Sequence, residues 1–415
     1  MIRIAISTLG CKINQAESAA IIDQFDAKIF VLVPWEEIAD IYIINTCTVT
    51  NRTDYKSRYL IRQALTRKAD NPAAKVVVTG CFAQRSPEEI ADLGEVDLVV
   101  DNQQKLSIAE ILAGAEFVFQ DIMLSDSFSY KSCTDMHGHT RAFQKIQDGC
   151  DFYCSYCAVP YARGHSRSAN LEQVLEQARL FVQSGYKEIV LGGVNLGLYF
   201  DGKHDLGDAI CSMAELDGLE LIRLSSIEPQ LFSSALISRI KALPKVCPHF
   251  HIPLQSGSDE LLQKMGRHYD TTLVINLVHE LRAAFPHCAI GFDVITGFPG
   301  ETDALHEETY HFISSLPLAY LHVFSYSKRK GTPAATLLHQ VPKTLKTQRT
   351  NNLTKLSTQL QERYQKQLIA NEVTLRGIVE THKNGCSEFL SDHFIRVSLP
   401  ELLPIGIMAT QKYNS

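Results

Sequence analysis

Nowhere in this sequence do about 18 apolar residues run together without a charge, which excludes an ordinary membrane-spanning helix. The opening Met1-Ile-Arg-Ile-Ala-Ile-Ser7 has neither the length nor the cleavage site of a secretory signal. Positive charge is not in excess: 40 Lys and Arg face 46 Asp and Glu, a formal net charge of -6. That balance excludes uniform attraction to nucleic acid but leaves room for local basic patches. Internal repeats and low-complexity tracts are absent. These absences lead us to expect a cytoplasmic, monomeric protein with no membrane partner. The length of 415 residues and an apolar share of 45% suffice for two or three ordinary cores. In a reducing compartment disulfides do not persist, so the 11 cysteines read as ligands and buried thiols.

Three of those cysteines form the densest chemical signal, Cys150-Asp-Phe-Tyr-Cys154-Ser-Tyr-Cys157. Soft thiolates in this C-x3-C-x2-C spacing suit an iron-sulfur cubane, which would leave one iron without a protein ligand and free to bind a small molecule. Two other readings stand beside it: a structural zinc site, with His165 the nearest fourth ligand, and simple buried thiols.

Residues 1–101 alternate short β-branched runs (Ile2 to Ile6, Ile29 to Val33, Ile41 to Ile44, Val76 to Val78, Leu98 to Val100) with helical stretches, the pattern of a small parallel α/β domain. Cys11, Cys47 and Cys81 each sit just beyond the end of one of these strands. Ligands of open α/β sheets bind outside the carboxyl ends of strands, so three distant thiols can converge there as a second ligand set. Taken singly, each also reads as a small buried apolar residue. The helix expected from Arg52 to Lys68 carries six cations against Asp54, either a solvated face or an RNA-backbone contact. Residues 102–141 read as a linker, and Cys133 within it has no evident partner.

Residues 142–335 read as six βα units, with strands at Ala142 to Ile146, Glu188 to Leu191, Leu219 to Leu224, His249 to Pro253, Ile290 to Thr296 and Tyr320 to Ser325. Helices are expected at Leu171 to Ser184 and Thr272 to Ala284. Six units close most of a barrel, and the cysteine triplet follows the first strand, at the carboxyl rim where barrels place their chemistry. Glycine-rich or polar turns end later strands: Gly192-Gly193-Val-Asn195, Ser225-Ser226-Ile-Glu228-Pro229, His251 to Gly257, and Gly297-Phe-Pro-Gly300-Glu301. Residues 336–371 read as an exposed basic connector helix. From Lys328 to Asn371 nine cations face the single Glu362. Residues 372–415 read as a small β module of three strands, Val373 to Val379, Ser387 to Leu390 and Phe394 to Val397, turning at Lys383-Asn-Gly385. It is either a capping sheet or an RNA-clamping appendage beside the catalytic rim.

In this order the three modules resemble the methylthiotransferase family of radical S-adenosylmethionine (SAM) enzymes over essentially the whole chain, most densely from His139 through Cys150 to Ser168. Thr8-Leu-Gly-Cys11-Lys12-Ile-Asn-Gln-Ala-Glu-Ser18 resembles the MtaB branch, in which Lys12 stands where the MiaB branch tends to have glutamine and the RimO branch proline. The resemblance implies two [4Fe-4S] clusters: one on Cys150, Cys154 and Cys157 that cleaves SAM to a 5'-deoxyadenosyl radical, and an auxiliary one on Cys11, Cys47 and Cys81 that carries the sulfur to be delivered. It further implies that Gly192, Gly193, Asn195, Ser226, Glu228, Gly297 and Gly300 line the SAM site. The implied product is a methylthio group at C2 of N6-threonylcarbamoyladenosine 37 beside the tRNA anticodon. Implied partners are the anticodon loop, an electron donor such as a flavodoxin or ferredoxin, and a sulfur donor. The terminal module resembles a short TRAM domain. MiaB-like action on isopentenyladenosine, RimO-like action on a ribosomal protein, and a non-enzymatic metal-containing RNA binder are the alternatives. No role is assigned to Cys133, Cys211, Cys247, Cys288 or Cys386.

Overall fold

A computed structural model describes residues 1–413. The first five strands, β1 (Ile2–Thr8), β2 (Phe30–Leu32), β3 (Ile41–Thr46), β4 (Lys75–Gly80) and β5 (Leu98–Val99), form one parallel sheet ordered β2-β1-β3-β4-β5. In this doubly wound order the strand sequence reverses between β1 and β3, and the crevice outside their carboxyl ends is where such sheets bind ligands. Helix α1 (Lys12–Ile22) follows β1, α2 (Asn51–Asp70) follows β3, and the single-turn α3 (Cys81–Arg85) follows β4. Helix α2 starts where the Thr50 hydroxyl accepts from the backbone N–H of Thr53 and the Thr50 N–H donates to the Thr53 hydroxyl in return. Its buried Ile61 and Ala64 pack on Tyr42, Val76 and Phe82. The opposite face of the sheet, under Ala16, Ala19 and Ile21, shares one continuous core with the barrel that follows.

That barrel is open. Strands β6 (Ala142–Asp148), β7 (Arg167–Ser168), β8 (Glu188–Gly193) and β9 (Leu221–Leu224) form one sheet, ordered β7-β6-β8-β9. Strands β10 (His249–Gln255), β11 (Ala289–Thr296) and β12 (Tyr320–Ser325) form another. All pairings are parallel except that of the two-residue β7 with β6. Helices Leu171–Gln183 and Thr271–Ala284 cover the outside through Val174, Phe181, Val278 and Leu281. No helix among the described residues is long and apolar enough to cross a membrane.

Two features depart from expectation. The basic helix, Lys343–Ala370, is not simply exposed: Leu353, Leu356 and Leu360 join the barrel core, and Ser357 Oγ bonds both backbone groups of Leu321 in β12. Its apolar residues recur every three to four positions, a stripe hidden in a polar sequence. Two of the nine cations of the 328–371 stretch are also removed from solvent: Arg329 pairs with Asp54 at 2.6 Å and Arg349 with Glu301 at 2.7 Å. The terminal module has a fourth strand. Strands β13 (Thr374–Lys383), β14 (Cys386–Ser391), β15 (Arg396–Leu399) and β16 (Met408–Lys412) form an antiparallel sheet ordered β15-β14-β13-β16, with Asn384 and Gly385 both at positive φ in the tight turn. This sheet does not lie beside the catalytic rim. Phe394 stacks on His249 at 4.3 Å, Arg223 donates to the carbonyls of Ser391 and Asp392, and the module's core includes Ala289 and Tyr320. His249, Ala289 and Tyr320 begin their strands, so the module closes the barrel's amino end.

Candidate active site: two cysteine trios at a domain boundary

The first trio is assembled by the ends of three strands. After β1 the chain turns at Gly10, whose φ of 97° and close approach demand glycine: a Cβ there would lie 2.7 Å from Cys47 Sγ. Cys11 then stands at the N-cap position of α1, where its side chain makes no capping hydrogen bond. Cys47 follows β3 and takes a backbone hydrogen bond from Val49. Cys81 follows β4 after Gly80, where a Cβ would be 2.4 Å from Thr46 O. Asn14 ties the turns together, donating to Leu9 O at 2.7 Å and Thr46 O at 3.0 Å. Cys11 is exposed to solvent, whereas Cys47 and Cys81 are buried. Burial, and then the neighbouring Cys81 thiolate, pushes the Cys47 thiol up to about 12.

The second trio is local. Gly149, at φ 72°, lets β6 turn where a Cβ would strike His165 O at 1.8 Å. The loop is then pinned by Cys150 N to Gly164 O at 3.1 Å and Ser155 N to Met265 O at 2.9 Å. Each sulfur faces a donor. Phe152 N–H reaches Cys150, Val159 N lies 3.4 Å from Cys157 Sγ, and Arg267 Nη1 lies 3.1 Å from Cys154 Sγ. Burial pushes the Cys157 thiol up to about 12.

Arg163, six residues beyond Cys157, reaches across to the first trio. It donates from Nε to Cys81 Sγ at 3.3 Å, from Nη1 to Glu17 and Asp148 at 2.9 Å each, and from Nη2 to Asn14 at 2.6 Å. Lys105 and Lys145 also pair with Glu17. Burial alone would raise the Glu17 pKa, but these three cations hold it well below the usual carboxylate range. Burial lowers Lys105 to about 8 despite Glu17. Three buried cations thus meet two carboxylates, and the surplus positive charge is aimed at a cysteine sulfur.

His165, the possible zinc ligand, pairs with Asp151 at 2.8 Å and is half exposed. Three soft thiol ligands in each trio are the donor set that iron-sulfur clusters take, and donors such as those Arg163, Arg267 and Val159 present to the sulfurs are the means by which proteins tune them.

The other sequence-predicted residues are placed unevenly. Asn195 lies over Cys150, Nδ2 to Sγ 4.0 Å, and its buried Oδ1 has no partner. Gly193 lets Gln147 pass, since a Cβ would sit 2.9 Å from Gln147 Oε1, and Gly192 is buried against Gln144 O and Ile13. Glu228 binds Arg267 and so supports Cys154 at one remove. Ser226 is directed elsewhere, to His251 Nδ1 at 2.6 Å. Gly297 faces Lys346 of the basic helix, and Gly300 N bonds His339 O; this turn meets the cysteine loop only through Phe298 and Tyr156 in a shared small core. Sequence reasoning missed Asn14, Glu17, Arg163 and Arg267 as parts of the site. Polar Asn14, Glu17 and Ser18 on one face of an otherwise apolar helix were the available signal.

An open parallel barrel with a cysteine loop after its first strand defines a radical SAM fold. The model of the Radical SAM superfamily matches residues 145–313, and that described as uncharacterized protein family UPF0004 matches residues 3–101. Among solved structures, radical S-adenosylmethionine methyltransferase TsrM from Kitasatospora setae, with cobalamin and a [4Fe-4S] cluster bound, superposes with a TM-score of 0.60 over 81% of this chain and 74% of that one, at 14% identity. At that identity the likeness is one of fold. Two curated relatives bear the name threonylcarbamoyladenosine tRNA methylthiotransferase MtaB. The Aquifex aeolicus protein is 39% identical over 88% of this chain and 90% of its own. The Bacillus subtilis protein is 40% identical over 96% and 90%. A tRNA-2-methylthio-N(6)-dimethylallyladenosine synthase from Endomicrobium trichonymphae is 33% identical over 81% and 79%. The chain belongs to the methylthiotransferase family of radical SAM enzymes, in its MtaB branch.

Proposed function

We propose that this protein is a tRNA methylthiotransferase that places sulfur and a methyl group on C2 of N6-threonylcarbamoyladenosine 37, using SAM and two [4Fe-4S] clusters. The observation that supports the reading is the pair of cysteine trios, each with a buried guanidinium on one sulfur, Arg163 reaching Cys81 from the segment that follows the second trio and Arg267 reaching Cys154. Cys150, Cys154 and Cys157 would hold one cluster and Cys11, Cys47 and Cys81 the other. When bound, these groups supply the electron that cleaves SAM and the sulfur to be transferred. The protein's own part is to hold charge and position. Arg267, held by Glu228, donates to the Cys154 sulfur and fixes its position. The unpaired Asn195 carbonyl offers an acceptor to a ligand beside Cys150.

tRNA is the substrate class that the MtaB-branch relatives carry in their names. On α2 the exposed Arg52, Tyr55, Lys56, Tyr59 and Arg62 fall on one helical stripe, the mixture of cations and rings that grips a single-stranded loop. A cytoplasmic location, a flavodoxin or ferredoxin as electron source, a separate sulfur donor and a monomeric state belong to the same reading. The test is mass spectrometry of tRNA nucleosides from cells lacking the gene. Loss of 2-methylthio-threonylcarbamoyladenosine is expected. Loss of the dimethylallyl analogue instead, or label transferred only to ribosomal protein in vitro, would overturn it.

A further inference from the structure

Along β10, β11 and β12 alternate residues face opposite ways. Ile252, Leu254, Phe292, Val294 and Leu321 are buried in the core shared with the outer helices. Their neighbours His251, Asp293 and His322 therefore point into the open side of the barrel, where β11 and β12 place Asp293 directly beside His322. His251 Nε2 lies 3.0 Å and His322 Nδ1 3.4 Å from the same oxygen, Asp293 Oδ1, and all three ligand atoms lie within 4.8 Å of one another.

These contacts are not ordinary hydrogen bonds. His251 Nε2 and Asp293 Oδ1 are both buried and without a hydrogen-bond partner despite their closeness, because the N–H direction misses the oxygen. Three potential ligand atoms crowd one small space instead. Separations of about 3.0 and 3.4 Å are the edges of a coordination shell with bonds of about 2.1 Å, at right and tetrahedral angles respectively. The far nitrogen of His251 is held by Ser226 Oγ at 2.6 Å, the outer hydrogen bond that fixes the tautomer of a metal-ligating imidazole.

We propose that His251, Asp293 and His322 form a binding site for one divalent first-row transition ion, with its remaining coordination positions open to the barrel interior. Two imidazoles and one carboxylate on one face are the donor set such ions take with vacant positions. The site shares no ligand with either cysteine trio, so it stands or falls independently of the function proposed above.

The test uses Mn2+, whose preference for nitrogen and oxygen donors keeps it off the thiolates. The anaerobically reconstituted full-length protein is titrated with Mn2+ while the free-ion electron paramagnetic resonance signal is followed. One equivalent bound is expected. Affinity should fall at least about tenfold in Ser226→Ala and further in Asp293→Asn. His322→Ala is the control against misfolding, since its side chain is 45% exposed, and it too should lose the ion while keeping its iron content and circular dichroism. Absence of a stoichiometric site in the wild type, or unchanged affinity in His322→Ala, would overturn the proposal.

Discussion

The two cysteine trios present the same chemistry built in two ways. Cys150, Cys154 and Cys157 lie within eight residues, and their geometry follows from one loop that a single glycine and a few backbone bonds pin to the barrel. Cys11, Cys47 and Cys81 are brought together by the parallel sheet alone, at the crevice beside its reversal point. Each trio recruits one deeply buried guanidinium, Arg267 for Cys154 and Arg163 for Cys81, and each guanidinium is oriented by carboxylates. A local site depends on its loop. An assembled site depends on every element that sets the register of its strands and on the network that presses the sheet against the barrel.

The sharpest way to break this comparison is to remove one sulfur from each side. Cys154→Ala should abolish 5'-deoxyadenosine formation and methylthiolation together. Cys11→Ala should abolish methylthiolation yet keep SAM cleavage within about twofold, read by liquid chromatography of the nucleosides. Next in size is Glu17→Gln, which leaves Arg163, Lys105 and Lys145 with Asp148 as their remaining carboxylate. Removing one partner from a buried ion network costs about 3–5 kcal/mol, and calorimetry should show it as an earlier-melting amino-terminal unit. Glu228→Gln, by contrast, should perturb the barrel site and leave that unit unchanged.

Gly10→Ala probes the assembled trio without touching a ligand. The positive φ and the collision with Cys47 Sγ should cost about 1–3 kcal/mol and lower iron content on that side only. The smallest effect is in acid. Because the Glu17 pKa is lowered in the folded state, its stabilisation is fully present above the ordinary value of 4.5 and is lost as pH falls through its own lower pKa. Melting temperature should therefore drop with acidification below about 4.5, and Glu17→Gln should flatten that part of the curve.

Much of this was legible in the sequence for stated reasons. The strands of both sheets follow β-branched runs, and the local trio is a spacing that can be read directly. The placement of Cys11, Cys47 and Cys81 after β1, β3 and β4 was legible because parallel sheets align their carboxyl ends. Long-range partners were not. Nothing local marks Arg163 as the residue that reaches Cys81, or Arg267, 113 positions from Cys154, as its counterpart. The buried stripe of the Lys343–Ala370 helix was hidden by its polar majority, and β16 by the weak strand propensity of Met-Ala-Thr-Gln-Lys. The terminal sheet was placed at the wrong end of the barrel because sequence carries its pattern but not its docking surface.

The most direct measurement is iron per chain after anaerobic reconstitution, in the wild type and in a variant with Cys11, Cys47 and Cys81 all changed to alanine. Two independent clusters predict roughly eight irons in the first and roughly four in the second, with 5'-deoxyadenosine still formed. Roughly four in the wild type, or loss of all iron and of SAM cleavage in the variant, would contradict the existence of two separate sites.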